Sequence, residues 1–294
     1  MSAIVGFAGF EISMICAKHC DTLALANKES LVCGGPLLRM VCAEHDTRLI
    51  PVDSEHSAIF QCLNGEDMAS VERVIITASG GPFRNFSYKE MQNVDPAQAA
   101  AHPNWAMGQR ISIDSASMFN KAMEVIEAKE LFDLEPAQIE VLVHPQSIIH
   151  SIVGFHDGNM IAHMGPADMA GAIGYALNWP ERAPLGQHRL NATDLISLEF
   201  NELDDNRFPA VMLAHRAMGM DGLSGAVFNA AKEMALDLFL AQRIGFLDMA
   251  RLVERALDYY ITSDWPTDMT LMNIQAVDEY TRAYVQNCLT EDVA

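Results

Sequence analysis

The first third of the chain alternates short apolar runs with longer amphipathic ones. Thr22 to Ala26 and Arg48 to Val52 each predict a buried strand, and a helix is expected between them from about Gly35 to Glu44. An earlier helix is expected near Glu11 to His19. Strand–helix–strand order is typical of parallel βαβ units, in which ligands bind beyond the carboxyl ends of the strands. The polar residues that follow each strand are therefore candidates for a site.

The middle of the chain predicts a mixed sheet. Val71 to Ala78 reads as a strand, and Ile111 to Ile113 as a brief strand or extended lead-in to a helix from about Ser115 to Leu131. A further strand is expected over Ile139 to His144. Two apolar runs flank Asp157-Gly158, which is a typical hairpin turn. Antiparallel hairpin strands beside parallel ones give a mixed central sheet.

The last third predicts helices. After an irregular, proline-bearing stretch at about 180–207, apolar residues recur at helical spacing. This pattern covers 208–219, 223–243, 246–260 and 274–288. The sequence therefore predicts a small helical C-terminal domain.

Composition and charge narrow the classes of partner. The formal net charge is −20, which leaves no basic surface for non-specific nucleic-acid binding. No apolar run reaches the roughly 18 residues of a membrane span, so no membrane partner is expected. Six cysteines without a CxxC pair indicate reduced thiols in a cytoplasmic protein rather than a structural zinc site.

Asp53-Ser54-Glu55 follows the second predicted strand. On a strand or its extended exit, residues i and i+2 point the same way, so the two carboxylates would share one face. A divalent cation between them would relieve their repulsion, and hard oxygen ligands favour Mg²⁺ or Mn²⁺. A solvated acidic face is the alternative.

The predicted helix after Ile113 carries a second candidate set. Asp114 and Ser115 suit an N-cap, and helix N-termini bind anions. Glu124 shares a helix face with Asn120 and Lys121. Hydroxyl, amide and ammonium groups suit a phosphate, and the carboxylate suits a metal. A capped amphipathic helix with a surface Lys–Glu pair is the alternative.

Three further segments bear polar or aromatic groups. Ser79-Gly80-Gly81-Pro82 resembles a turn that brings backbone N–H groups close to an anion. His102 precedes Trp105 and Met107 in a polar stretch, where a mobile lid is expected. His144 and His150 are interpreted as ordinary sheet histidines.

Taken together, six segments resemble the 1-deoxy-D-xylulose 5-phosphate reductoisomerase family. They occur in the family's order, and the resemblance extends through the C-terminal helices. The segments are LANKESLV (25–32), PVDSEHSAIFQ (51–61), ITASGGPFR (76–84), HPNWAMG (102–108), ISIDSASMFNKAMEVIEA (111–128) and HPQSIIHSIV (144–153).

The resemblance implies a role for each candidate. Asp53, Glu55 and Glu124 would bind the divalent metal, Mg²⁺ or Mn²⁺. The groups implied to hold the substrate, and particularly its phosphate, are Ser79, Ser115, Asn120 and Lys121, with His102 from the lid. Those implied to contact the substrate backbone beside the metal are Lys28, Ser54, Glu55 and Glu124. The groups implied to contact NADPH are Asn27, Glu29 and Gly108, and Trp105 with Met107 would form the lid.

The implied reaction is an isomerisation of 1-deoxy-D-xylulose 5-phosphate followed by NADPH-dependent reduction to 2-C-methyl-D-erythritol 4-phosphate. It belongs to the methylerythritol phosphate pathway of non-mevalonate isoprene biosynthesis. The family also implies a cytoplasmic homodimer acting on a small phosphorylated sugar.

The implied fold class is α/β: a remnant of a Rossmann-like dinucleotide-binding domain at 1–52, an α+β central catalytic domain with a mixed sheet at 53–180, a linker at 181–205 and a C-terminal helical bundle at 206–294. The family's glycine-rich dinucleotide turn has no counterpart here, so the chain is expected to be a truncated reductoisomerase with impaired NADPH turnover. A metal-dependent sugar-phosphate isomerase or lyase without nicotinamide, and a non-catalytic remnant, are the alternatives.

Overall fold

A computed structural model describes residues 1–103, 105, 107–220 and 222–291 of the chain. Asn104 and Ala106, both in the HPNWAMG motif, lie outside the described residues, as do Asp221 and residues 292–294 at the end of the predicted helical domain.

The N-terminal part forms a βαβ unit, as the alternating pattern predicted. It consists of β1 (Thr22–Leu25), α2 (Glu29–Glu44) and β2 (Arg48–Pro51), and it is preceded by α1 (Ala8–Ala17). β1 and β2 are parallel neighbours, with Thr22 opposite Arg48. α2 is kinked at Gly34, whose dihedral angles are not helical, and the predicted helix from about Gly35 to Glu44 is the part after this kink. The part before the kink, which begins at Glu29, was not predicted.

The central part contains the remaining strands and the helices that cover them. Its elements are α3 (Ser54–Cys62), β3 (Val71–Ala78), α4 (Tyr88–Met91), α5 (Pro96–Ala99), α6 (Gln109–Ala116), α7 (Phe119–Phe132), β4 (Ile139–Val143), β5 (Ile149–Phe155), β6 (Met160–Met164), α8 (Met169–Asn178) and β7 (Asn201–Glu202). The strand order is β6-β5-β3-β4-β7. β3 and β4 are parallel, and the other pairings are antiparallel. The mixed sheet and its hairpin are therefore confirmed.

Two local predictions in this part are wrong. Ile111 to Ile113 lie inside α6 rather than in a strand. The single helix expected from Ser115 is two helices, since Met118 adopts a left-handed conformation (φ 63°) between α6 and α7. An L-residue in this conformation cannot continue a right-handed helix. Ser115 thus lies in the last turn of α6, and neither Asp114 nor Ser115 is an N-cap.

The C-terminal part is helical, as predicted from the apolar spacing. It comprises α9 (Ala210–Met218), α10 (Ser224–Leu240), α11 (Asp248–Thr262) and α12 (Leu271–Glu291). α10 packs against α11 and α12, and also against α2. One continuous apolar core therefore joins the βαβ unit to the helices, with Phe10, Leu31 and Phe228 fully buried.

Two more predictions concern the described residues as a whole. All six cysteines are free thiols, as expected from their spacing. Within the described ranges, no helix combines the length and the apolar character that crossing a membrane requires.

Candidate metal and phosphate site

One cavity of about 450 Å³ collects most of the sequence-predicted site residues. It lies between the carboxyl end of β3 and the helices α3, α6 and α7. The predicted residues on its wall are Lys28, Asp53, Ser54, Glu55, Ser79, His102, Trp105, Met107, Ser115, Asn120, Lys121 and Glu124. Asn27, Glu29 and Gly108 are not on this wall.

Three carboxylates of the cavity form a compact group. Asp53, Glu55 and Glu124 each offer an oxygen, and these oxygens lie within 4.8 Å of one another. The strand-exit argument for the first two is wrong, because Asp53 is the N-cap of α3 and Glu55 lies in its first turn. Glu124 comes from α7 and is buried. An all-oxygen donor set of this kind fits Mg²⁺ or Mn²⁺.

Two ammonium groups lie against these carboxylates. The Lys121 Nζ donates to Glu55 Oε1 at 2.8 Å and to Glu124 Oε2 at 2.5 Å. Lys28 pairs with Asp53 and reaches Glu124 Oε1 at 3.3 Å. Both side chains are largely buried, so these pairs are shielded from solvent.

The pKa values in the cavity reflect this charge arrangement. Burial alone would raise the pKa of Glu55, but the Lys121 ammonium, with His150 and Ser54, outweighs burial and lowers it to about 2. Burial would likewise lower the pKa of Lys121, but Glu124 and Glu55 outweigh it and raise that pKa above its ordinary value. The ionised pairs are thus mutually stabilised.

The polar groups suited to a phosphate lie beside the carboxylates. Gly80 and Gly81 have positive φ values of 85° and 62°, which glycine adopts without steric cost, and they form the expected turn after β3. The Ser79 hydroxyl accepts a hydrogen bond from the Gly81 N–H at 3.3 Å. Asn120 lies in the first turn of α7 and donates to Glu124 Oε1 at 2.6 Å. The anion-suited helix start is therefore that of α7.

The predicted lid segment borders the same cavity. His102 Nε2 is 3.0 Å from Ser79 Oγ, and its Nδ1 accepts the Trp105 N–H at 2.9 Å. The Trp105 ring meets the His150 ring edge-on, with centroids 6.4 Å apart. His150 was predicted as an ordinary sheet histidine, but it lies on the cavity wall. Its place inside the HPQSIIHSIV segment was the signal that could have identified it.

Sequence reasoning also missed a buried pair behind the carboxylates. His56 Nε2 donates to the backbone oxygen of Glu124 at 2.8 Å, and His56 Nδ1 is 3.8 Å from Glu127 Oε2. Burial lowers the pKa of His56 to about 3 and raises the pKa of Glu127 to about 8. Both residues lie inside matched segments, yet neither has a partner that sequence spacing reveals.

The residues implied to contact NADPH do not line the 450 Å³ cavity that holds the carboxylates. Asn27 Nδ2 donates to Ile4 O at 2.7 Å and to Glu29 Oε2 at 2.6 Å, so it supports the loop before α1. Glu29 lines a second cavity of about 600 Å³, whose wall also includes Lys28 and Asn120. The two cavities therefore adjoin.

Gly108 and His144 complete the predicted set. Gly108 is the N-cap of α6, with open space where a side chain would project. His144 is held by Glu199 O at 2.8 Å and stacks on Phe200. The interpretation of His144 as a sheet-end structural histidine agrees with these contacts.

The fold and this cavity define an α/β protein with an oxygen-donor carboxylate group next to an anion-suited pocket. Family models described as 1-deoxy-D-xylulose 5-phosphate reductoisomerase match residues 1–35, and those of its C-terminal domains match 49–132 and 164–284. The chain belongs to the 1-deoxy-D-xylulose 5-phosphate reductoisomerase family, as the six segments indicated.

Relatives and solved structures agree with this assignment. The chain is 54% identical to the reductoisomerase of Ruegeria pomeroyi over 99% of its own length and 74% of the relative's. It is 60% identical to that of Cereibacter sphaeroides over 87% of its own length, but spans only 65% of that relative.

Solved structures are similar over nearly the whole chain. The Zymomonas mobilis reductoisomerase in complex with NADPH has a TM-score of 0.90 and 44% identity, and covers 98% of this chain and 74% of its own. A DOX-P reductoisomerase in complex with NADPH, fosmidomycin and magnesium has a TM-score of 0.92 and 38% identity. The match covers 98% of this chain and 75% of the solved chain.

Proposed function

We propose that this chain performs the metal- and substrate-binding part of the 1-deoxy-D-xylulose 5-phosphate reductoisomerase reaction. The observation that supports this most is the convergence of Asp53, Glu55 and Glu124 within 4.8 Å on the wall that also carries the phosphate-suited groups. The family relatives favour this hypothesis over a nicotinamide-independent isomerase or a non-catalytic remnant. The domain division at 52, 180 and 205 belongs to the same proposal.

The three carboxylates would hold Mg²⁺ or Mn²⁺, and the donor chemistry fits because all of the oxygens are hard ligands. When bound, the cation supplies Lewis-acid polarisation of the substrate oxygens. His56 fixes the backbone of Glu124 and so orients one of the three ligands. Outer contacts of this kind orient metal ligands.

The remaining cavity groups would bind and orient the sugar phosphate. Ser79, Ser115, Asn120 and Lys121 offer hydroxyl, amide and ammonium donors for the phosphate, and His102 adds an imidazole. A phosphate grip away from the reacting carbons supplies binding energy that fixes the substrate's orientation. Lys28 and Ser54 would contact the substrate backbone next to the carboxylates.

NADPH would supply the hydride from the adjoining cavity. Glu29 lines that cavity, and Lys28 and Asn120 line both cavities, which is the arrangement that a hydride donor next to the substrate requires. Asn27 would act through the loop before α1, and Gly108 through its backbone. Trp105 and Met107 would close over the ligand and exclude water.

We also propose that the protein is a homodimer and is cytoplasmic. The edge strand β6 supports the dimer, because Met160, Ile161 and Met164 leave 49%, 39% and 39% of their surfaces exposed at the edge of the sheet. Sedimentation of the chain would test it, and a monomer at all concentrations would contradict it.

The function is tested by Mn²⁺ titration followed by electron paramagnetic resonance. Replacing one charged partner of a buried set costs about 2–5 kcal/mol, so Glu124→Gln is expected to weaken Mn²⁺ binding by that amount. Asp133→Asn is the matched control, since it removes the same charge at the exposed C-terminal end of α7.

Absence of Mn²⁺ binding by the wild-type chain would contradict the proposed function. Consumption of NADPH with 1-deoxy-D-xylulose 5-phosphate, followed by nicotinamide absorbance, measures whether this chain alone completes the reduction.

A further inference from the structure

One ammonium group belongs to both halves of the proposed site. Lys121 Nζ lies 2.8 Å from Glu55 Oε1 and 2.5 Å from Glu124 Oε2, and its side chain is only 5% exposed. Both acceptors are proposed metal ligands, whereas Lys121 itself is proposed to bind the phosphate of the substrate. The same charge therefore faces two different partners.

Three of the other groups proposed to bind phosphate are also hydrogen-bonded. Asn120 Nδ2 donates to Glu124 Oε1 at 2.6 Å, so it too contacts a metal carboxylate. Ser79 Oγ and His102 Nε2 bond to each other at 3.0 Å. A bound phosphate would compete with the carboxylates for the charge and the N–H donors of Lys121 and for the amide of Asn120.

Competition for the carboxylate oxygens follows from simple electrostatics. A divalent cation bound to Glu55 and Glu124 would repel an ammonium at hydrogen-bond distance from the same oxygens. Displacing Lys121 would leave a buried ammonium without a counter-charge, which is costly. A phosphate dianion provides that counter-charge and frees the carboxylates at the same time.

We propose that Lys121 couples the two halves of the site, so that phosphate binding strengthens metal binding and metal binding strengthens phosphate binding by the same factor. This inference rests on the proposed function, and the equality of the two effects follows from thermodynamic linkage. Lys121 acts here as an exchangeable counter-ion, in addition to its role as a phosphate ligand.

Lys28 provides the matched comparison. Its ammonium contacts Asp53 and lies 3.3 Å from Glu124 Oε1, so it also competes with a cation. It is not among the proposed phosphate groups. Removing its charge should therefore strengthen metal binding without affecting the coupling.

The test measures Mn²⁺ affinity by electron paramagnetic resonance, with and without inorganic phosphate, at fixed free Mn²⁺. Phosphate is expected to tighten Mn²⁺ binding to the wild-type chain about tenfold, within the usual range of coupling between sites. Lys121→Met should bind Mn²⁺ more tightly than wild type without phosphate, and should lose the phosphate effect. Lys28→Met should also bind Mn²⁺ more tightly but keep the phosphate effect.

The outcomes separate the inference from the proposed function. No Mn²⁺ binding by wild type in either buffer overturns the proposed function. Mn²⁺ binding that phosphate leaves unchanged, or a phosphate effect that survives in Lys121→Met, overturns the coupling alone. Lys121→Gln is a second variant for the same measurement, and circular dichroism confirms that each variant is folded.

Discussion

The imidazole of His102 lies 3.0 Å from the hydroxyl of Ser79, which joins the predicted lid to the glycine turn after β3. The ring's other nitrogen accepts the Trp105 N–H, so Nε2 carries the proton and donates to Ser79. Burial lowers the pKa of His102 and favours this neutral form. The lid and the phosphate-suited turn are thus held by one side chain.

Replacing His102 by alanine should weaken phosphate binding. A hydrogen bond to a charged group contributes about 1.5–3 kcal/mol, and the variant would also lose the link between turn and lid. Calorimetric titration with inorganic phosphate in the presence of Mn²⁺ measures the change. His156→Ala is the control because His156 is exposed at the β5–β6 turn. Equal phosphate affinity in both variants would rule out a phosphate contact by His102.

Glu127 should make the chain less stable as the pH rises. Its pKa is raised to about 8, mainly by burial, so the folded chain holds a proton that the unfolded chain releases above its ordinary pKa of 4.5. The resulting stabilisation is complete below about pH 4.5 and is lost as the pH rises through about 8. Urea unfolding at pH 6 and pH 9 measures this. The free energy of unfolding should fall less between the two pH values for Glu127→Gln than for wild type.

The size of this effect is bounded by about 1.4 kcal/mol for each unit of pKa difference. Glu140→Gln serves as the control, since Glu140 is 45% exposed and pairs with Arg73 at the surface. The same pH dependence in wild type and Glu127→Gln would show that Glu127 is not buried as a neutral acid.

Two ion pairs join α6 to α10 and should differ in their contribution to stability. Lys232 Nζ is 3.0 Å from Asp114 Oδ2, with only 5% and 14% of the side chains exposed. Arg110 and Asp237 pair at 2.5 Å between the same helices, but both are 45% exposed. Lys232→Met should cost about 3–5 kcal/mol because it leaves the largely buried carboxylate of Asp114 without the Lys232 ammonium.

The exposed pair gives the control for this comparison. Asp237→Asn should cost less than about 1 kcal/mol, since solvent screens a surface pair. The free energies of unfolding in urea measure both. Equal costs for the two substitutions would contradict the role of burial.

Gly225 should tolerate no side chain. A Cβ at this position would overlap the backbone oxygen of Val32, because α10 packs against α2 there. Gly225→Ala is expected to cost about 1–3 kcal/mol, as overpacking does in a close-packed interior. Gly219→Ala is the control, since a Cβ at position 219 would lie an ordinary 3.6 Å from its nearest neighbour, the backbone oxygen of Arg216. Thermal unfolding that places both variants at the same midpoint would contradict this.

The sequence by itself determined those strands and helices whose apolar and polar pattern lies within one continuous stretch of the chain. β3 was predicted with its observed ends, Val71 and Ala78, because a continuous apolar run bounded by polar residues leaves little choice. The β5–β6 hairpin followed from Asp157-Gly158, and the C-terminal helices from apolar spacing alone. The six matched segments also contain most of the residues that the structure brings to one cavity. The candidate set did not include His150, Ala167, Asp168 and Met169 on the cavity wall, or the His56–Glu127 pair behind it.

Only the tertiary structure decided how those residues meet. The break at Met118 moved Ser115 to the end of one helix and Lys121 to the start of the next. The pairing of Lys121 with Glu55 and Glu124, and of His56 with the backbone of Glu124, joins α3 to α7. Periodicity reports which face of an element is apolar, but ion pairs between elements depend on how those faces pack, and no spacing within one segment contains that information.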